Sequence, residues 1–135
     1  MRIEKYEVRP QNKPPSEWFY GIVFQEPIIE APEPARNRSL KVLFEAGART
    51  AWHTHPLGQT LYVLSGVGLV SLRNEAPRVI KLGDSVWIPP DVEHWHGATP
   101  NKSMTHIAIQ ESLNGKVANW LEHVSERDYL RNPVD

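Results

Sequence analysis

Cysteine is absent from this 135-residue chain. That excludes disulfide staples and thiol catalysis. An excess of either charge is also missing. Fifteen Lys and Arg stand against sixteen Asp and Glu, interspersed, for a formal net charge of −1, and no basic patch is long enough to suggest a nucleic-acid partner. No apolar run approaches the length of a membrane span, so no membrane partner is expected. The first residues, Met1-Arg2-Ile3-Glu4-Lys5-Tyr6, lack the apolar centre of a secretory leader, and a cytoplasmic protein is the expectation. No repeat, low-complexity tract or second domain is visible, so residues 1–135 are read as one domain, large enough for a real core.

What is present is a succession of short β-prone runs. Ile3 to Val8 suits a short edge strand. Trp18 to Phe24 is aromatic and β-branched. The proline-rich stretch from Pro27 to Arg38 reads as a loop. Leu40 to Phe44 alternates, with Leu40, Val42 and Phe44 on one face. Thr60 to Leu64 and Leu69 to Arg73 read as two strands joined by a glycine turn at Ser65-Gly66-Val67-Gly68. Val79 to Leu82, Ser85 to Ile88, His94 to Gly97 and Ser103 to Gln110 complete the set, and Asn114-Gly115 is a turn. Many short strands at close spacing predict an all-β closed barrel or jelly roll. In the tail, Val117, Trp120, Leu121 and Val124 fit one face of a helix, with an extended reading open. Ser125-Glu126-Arg127-Asp128 resembles a helix-start cap, predicting a short C-terminal helix to about Arg131.

The chemistry concentrates in Trp52-His53-Thr54-His55-Pro56-Leu57-Gly58-Gln59. Residues two apart in a strand share a face, so His53 and His55 present two imidazoles to one point. Pro56 and Gly58 break the strand, and a tight connection returns the Gln59 amide oxygen. A third imidazole is available in Asp91-Val92-Glu93-His94-Trp95-His96. Three imidazoles and one neutral oxygen suit a borderline divalent metal. Taken alone, His53-Thr54-His55 fits a solvated edge or a core hydrogen bond about equally well.

The surroundings favour the metal. Gly47 lies six residues before His53 and Gly66 seven after Gln59, and a second block runs Gly83-Asp84-Ser85-Val86-Trp87-Ile88-Pro89-Pro90-Asp91 to His94. Here the sequence resembles the cupin superfamily, a jelly-roll β-barrel, in two motifs that fall within about 40–112. Three positions depart from the pattern: Gln59 stands for glutamate, Asp91 for the glycine after proline, and Ala98 for the final asparagine. The runs Thr50 to Thr60, His94 to Ala98 and Met104 to Glu111 look like the small bacterial cupins with (R)-selective hydroxynitrile lyase activity. That resemblance implies manganese held at His53, His55, Gln59 and His94, and a pocket histidine at His106.

The residues themselves bear on this. A neutral Gln59 leaves more net charge on the ion than glutamate would, making it a stronger Lewis acid. Met104, His106, Ala108 and Gln110 share one strand face, which puts His106 in the lumen as an acid/base. His96 shares its direction with His94 and reads as a pocket donor or as a packed residue. Leu40, Val42, His96 and Gln110 are the candidate pocket lining, and His123 reads as an ordinary surface residue. The expected function is a metal-dependent lyase that cleaves or forms cyanohydrins, with one divalent ion: manganese first, then iron, nickel, cobalt or zinc. The alternatives are an iron-dependent dioxygenase and a non-catalytic small-ligand cupin. A small-molecule substrate is expected, and the apolar run Trp18 to Phe24, uncomfortable as a bare edge, predicts a homo-oligomer, dimer or tetramer.

Overall fold

The fold is organised by one long strand, β6 (Gln59–Leu72). The chain is described here from a computed structural model that covers residues 1–135. Before β6 come β1 (Phe19–Tyr20), β2 (Val23–Glu30), β3 (Asn37–Phe44), β4 (Arg49–Thr50) and β5 (His53–Thr54). After it come β7 (Arg78–Lys81), β8 (Ser85–Ile88), β9 (His94–Ala98), β10 (Met104–Glu111), β11 (Asn119–Trp120) and the short helix α1 (Glu126–Tyr129). The sheet runs β1-β4-β9-β6-β10-β3-β2, with β7 and β8 also on β6, and β5 between β9 and β11. All these pairings are antiparallel, and the sheet curls into a nearly closed barrel.

The two halves of β6 serve two walls. Gln59 to Gly66 pairs with β8 and β10, and Val67 to Leu72 pairs with β7 and β9. The expected glycine turn in the middle is therefore a bend within one strand. Gly66 takes φ 78°, and a Cβ there would stand 2.0 Å from the Ser103 carbonyl oxygen. Glycine is needed because the ladder slips register at this point, between Thr105 and His106, and the backbones come too close for a side chain.

Strand parity fills the lumen in layers. Val42 and Val63 flank His106 on the neighbouring strands, Leu40 and Leu61 flank Ala108, and Phe44 and Gly66 flank Met104. Phe44, Leu61, Val63, Met104 and Ile88 are essentially solvent-free and anchor the main apolar cluster. Burial of each such side chain contributes about 1.5–3 kcal/mol. A second, smaller cluster lies outside the barrel wall, where Trp52, Leu69 and Trp95 meet Val124 and Tyr129. The Ser125 hydroxyl caps α1 by accepting from the Asp128 N–H at 3.1 Å, as its sequence suggests. Buried Arg49 has no carboxylate partner. Its guanidinium lies 4.1 Å from the ring centres of both Tyr20 and Tyr129 and donates to the carbonyls of Gly47 and Val124, a stacked cation in place of an ion pair.

Other expectations need correction. Ile3 to Val8 is not a strand; Tyr6 to Val8 form an exposed 3-10 turn, and the N-terminal arm joins the ladder of β2 at the bridge between Asn12 and Gln25 instead. The Pro27 to Arg38 loop is shorter than its prolines suggest. β2 passes through Pro27 to Glu30 by slipping register between Pro27 and Ile29, and β3 begins at Asn37. The tail from Val117 is extended, because β11 pairs with β5, and tertiary pairing there overrides a helical spacing. No helix is long and apolar enough to cross a membrane.

Candidate metal centre and its pocket

The histidine stretch makes a strand of only two residues, His53–Thr54. Its ladder contacts are the single pair His53 with His94 on β9, and Thr54 and His53 with Asn119 and Trp120 on β11. After it, Pro56 and Gly58 turn the chain. Gly58 sits at φ 82°, and a Cβ there would fall 2.4 Å from the Trp87 ring. That turn brings Gln59 back beside the histidines. Asp91, where the resembled pattern has glycine, keeps the left-handed φ of 62°, and its N–H donates to the His55 carbonyl at 2.9 Å.

The four expected ligands converge. The rings of His53 and His55 lie 5.0 Å apart, those of His53 and His94 4.2 Å, and those of His55 and His94 5.5 Å. Each of the three donates its Nδ1–H to a backbone carbonyl: His53 to Ala51 at 2.9 Å, His55 to Val117 at 2.7 Å, His94 to Val92 at 2.9 Å. Fixing Nδ1 this way fixes tautomer and ring orientation and leaves Nε2 as a lone-pair donor. The Gln59 amide nitrogen donates to Gln110 Oε1 at 3.1 Å, which aims Gln59 Oε1 at His94 Nε2, 3.2 Å away. His55 Nε2 is buried with no partner, a costly arrangement for a polar atom unless something occupies it. This donor set fits a divalent transition metal.

His96 is closer to this group than the sequence implies. One nitrogen each from His53, His94 and His96 lies within 4.8 Å of the others, a trio that has His96 in place of His55. The partners of Nδ1 separate the two. His55 is anchored to a carbonyl, like His53 and His94. His96 Nδ1 instead meets His106 Nε2 at 2.9 Å, a side chain that can either donate or accept. His96 Nε2 and His106 Nδ1 are both buried without partners.

Burial sets the protonation. It lowers His94 and His106 to about 4, and it is the first cause of the lowered pKa at His53, His55 and His96. Neighbouring imidazoles add to the effect at His53, His94 and His96. All five rings are thus neutral at pH 7, as metal ligation and proton acceptance both require.

A cavity of about 200 Å³ opens beside the cluster. Leu40, Val42, His96, His106 and Gln110 all line it, as do His53, His55 and Gln59, while His94 stands behind them, fully buried. Strand parity places His106 in the lumen as expected. Reading the sequence missed the mouth, formed by Pro14, Pro15, Trp18, Val117 and Trp120. Trp18 and Trp120 stack at 5.2 Å with their planes 5° apart. Only the shared aromatic character of two distant residues hinted at that pair. His123 is exposed, its Nε2 bonded to the Ser16 carbonyl.

Residues 40–109 match the family described as "Cupin domain". The chain is 48% identical over 131 residues to "(R)-mandelonitrile lyase" of Granulicella tundricola, covering 97% of this chain and all of that protein. Among solved structures, a cupin-like protein of Thermotoga maritima superimposes with a TM-score of 0.84 at 38% identity, covering 93% of this chain and 95% of the other. The polyketide cyclase RemF of Streptomyces resistomycificus superimposes with a TM-score of 0.75 at 18% identity, over 96% and 90% of the two chains. At that identity the likeness is one of fold.

Proposed function

The chain belongs to the cupin family, and from that premise we propose that it is a metal-dependent carbon–carbon lyase, cleaving aromatic cyanohydrins of the mandelonitrile type to an aldehyde and hydrogen cyanide. The observation that carries this reading is the full-length 48% identity to a mandelonitrile lyase. The site is compatible with it: neutral imidazoles beside a small cavity with apolar walls.

His53, His55 and His94 through Nε2, with Gln59 through Oε1, would hold the ion; manganese is the first choice, and iron, cobalt, nickel or zinc suit the same donors. A bound divalent ion supplies Lewis acidity that makes a substrate hydroxyl easier to deprotonate. The His96–His106 pair takes the proton. In one tautomer His96 Nδ1–H donates to His106 Nε2, so uptake at His96 Nε2 passes a proton on to His106. In the other, His106 Nδ1 is itself the acceptor. Their burial keeps the accepting form populated at neutral pH. As the C–C bond breaks, its electron pair leaves with cyanide, and the pair returns the proton to it. Leu40 and Val42 wall the cavity, and an apolar cavity of roughly 150 Å³ already holds one benzene ring.

The test is cleavage of (R)- and (S)-mandelonitrile by manganese-loaded protein, set against His106→Ala. The variant should keep metal and fold and lose roughly 10²–10⁴-fold in rate. If His106 is only a packed polar residue, stability falls by about 1–3 kcal/mol and turnover per metal stays. Full activity with full metal would remove His106 from the mechanism.

We also propose a homo-oligomer. Tyr62 and Trp87, on the paired strands β6 and β8, are 44% and 60% exposed, and neighbouring exposed aromatics of this kind suit a contact with a second copy. A compact monomer by light scattering at high concentration would refute this.

A further inference from the structure

We propose that Trp120 is a positioning residue for the metal-binding pair, setting the orientation of His53 and, through its strand, of His55. The inference rests on reading those two histidines as ligands; it adds how the fold holds them in place.

β5, which carries His53, is a weak element by itself. It is two residues long and touches the main sheet through one pair, His53 with His94. Its other support is β11, through Asn119 with Thr54 and Trp120 with His53. The same segment continues the ladder on Trp52, where Leu121 N–H donates to the Trp52 carbonyl at 2.8 Å and Trp52 N–H donates to the Glu122 backbone carbonyl at 2.9 Å. Three residues before Trp120, the Val117 carbonyl accepts from His55 Nδ1. One strap of chain therefore holds both histidines of the pair.

Trp120 is the fixed point of that strap. Its ring lies on His53 at 4.5 Å with planes 27° apart. Its other contacts are Trp18, stacked at 5.2 Å, and Phe19, tilted at 5.4 Å. The indole is thus clamped between the N-terminal arm and the His53 imidazole. Besides its Nδ1 bond, the His53 ring meets the rings of His55, His94 and His96 at tilts of 50–85°. Among these ring neighbours Trp120 lies nearest to parallel, and that flat surface limits rocking about the Nδ1 bond and keeps Nε2 on target. His94 needs no such device, because its strand β9 lies inside the sheet, between β4 and β6.

The test uses metal-stripped full-length protein, titrated with Mn²⁺ by calorimetry, with the melting temperature measured with and without the ion. Trp120→Ala should bind Mn²⁺ about 10–100-fold more weakly, the usual scale for groups that orient ligands. Trp120→Phe, which restores a flat face, should recover most of that loss. Trp120→Leu, which keeps apolar bulk without the flat face, should not, and it serves if the alanine variant fails to fold. Wild-type affinity in the alanine or leucine variant, with only the metal-free melting temperature lowered, would reduce Trp120 to packing and overturn the proposal. So would a phenylalanine variant as weak as the leucine one, or wild-type protein that takes up no Mn²⁺. The lyase reading fails separately. Affinities that follow this order in a protein inert toward mandelonitrile leave Trp120 in its role and remove the substrate.

Discussion

The two ends of the barrel lumen are made from the same strands and have opposite chemistry. Along β10, Met104 belongs to the packed end and His106 and Gln110 to the open one. Along β6, Gln59 stands at the cluster level with Gln110, Leu61 and Val63 fill the wall level with Ala108 and His106, and Gly66 lies level with Met104 at the packed end. β9 runs from His94 and His96 to Ala98, and β3 from Leu40 and Val42 at the pocket to Phe44 in the core. Parity decides that all these side chains point inward. Position along the strand decides whether they meet apolar neighbours or other donors. The packed end supplies stability, and the open end gives some of it up: His55 Nε2, His96 Nε2 and His106 Nδ1 are buried without partners. Each such atom costs about 1–3 kcal/mol. A barrel this small carries such a site because the rest of its lumen is filled with hydrocarbon.

Single substitutions should have their largest effect at the open end. His94→Ala should abolish metal retention, measured by elemental analysis of protein purified without chelator, with little loss of fold. His55→Ala should do nearly the same, whereas His96→Ala should keep the ion. Retention in the His55 variant with loss in the His96 variant would exchange their roles. At the packed end the signs reverse. Phe44→Ala should lower stability by about 3–5 kcal/mol, read from denaturant midpoints, and any fold that survives should still bind metal.

Acid should separate the ends next. In the unfolded chain the histidines titrate near 6.5, whereas His94 and His106 are held at about 4 by burial. Between those values the unfolded state binds more protons, so stability is full above pH 6.5 and is lost as pH falls toward 4. Each unit of difference is worth about 1.4 kcal/mol per group. Metal-free protein should show a sloping denaturant midpoint across that window. A flat profile would mean that the open end is already protonated or hydrated. The smallest effect lies at Asp91, whose left-handed backbone suits Asp better than most residues. Asp91→Ala should cost about 1 kcal/mol, and Asp91→Gly should cost less; equal costs would place the effect in the Asp91 side chain.

Much of the open end is legible in sequence because it obeys period two. His53 and His55, the Met104 to Gln110 face, and Leu40 with Val42 all follow from alternation. Gln59 follows from the turn residues before it. The His96–His106 contact is not legible, since it depends on β6 lying between β9 and β10 in the sheet. The strap is hidden for a different reason. Val117, Trp120, Leu121 and Val124 fit a helical face as well as they fit an extended chain, and only pairing with β5 chooses. The bend in β6 is misread as a turn because Gly66 and Gly68 signal both; what selects the bend is the close approach of Ser103 and Gly97.

The carbonyl that anchors His55 belongs to a residue 62 positions later in the chain. On a ribosome adding about 5–20 residues per second, His55 is made roughly 3–12 s before Val117. During that interval the nascent chain carries paired imidazoles with no strap to orient them. The site assumes its final shape only after β11 has emerged and docked. An ion held as proposed above would find all four of its donors in place only from that moment on.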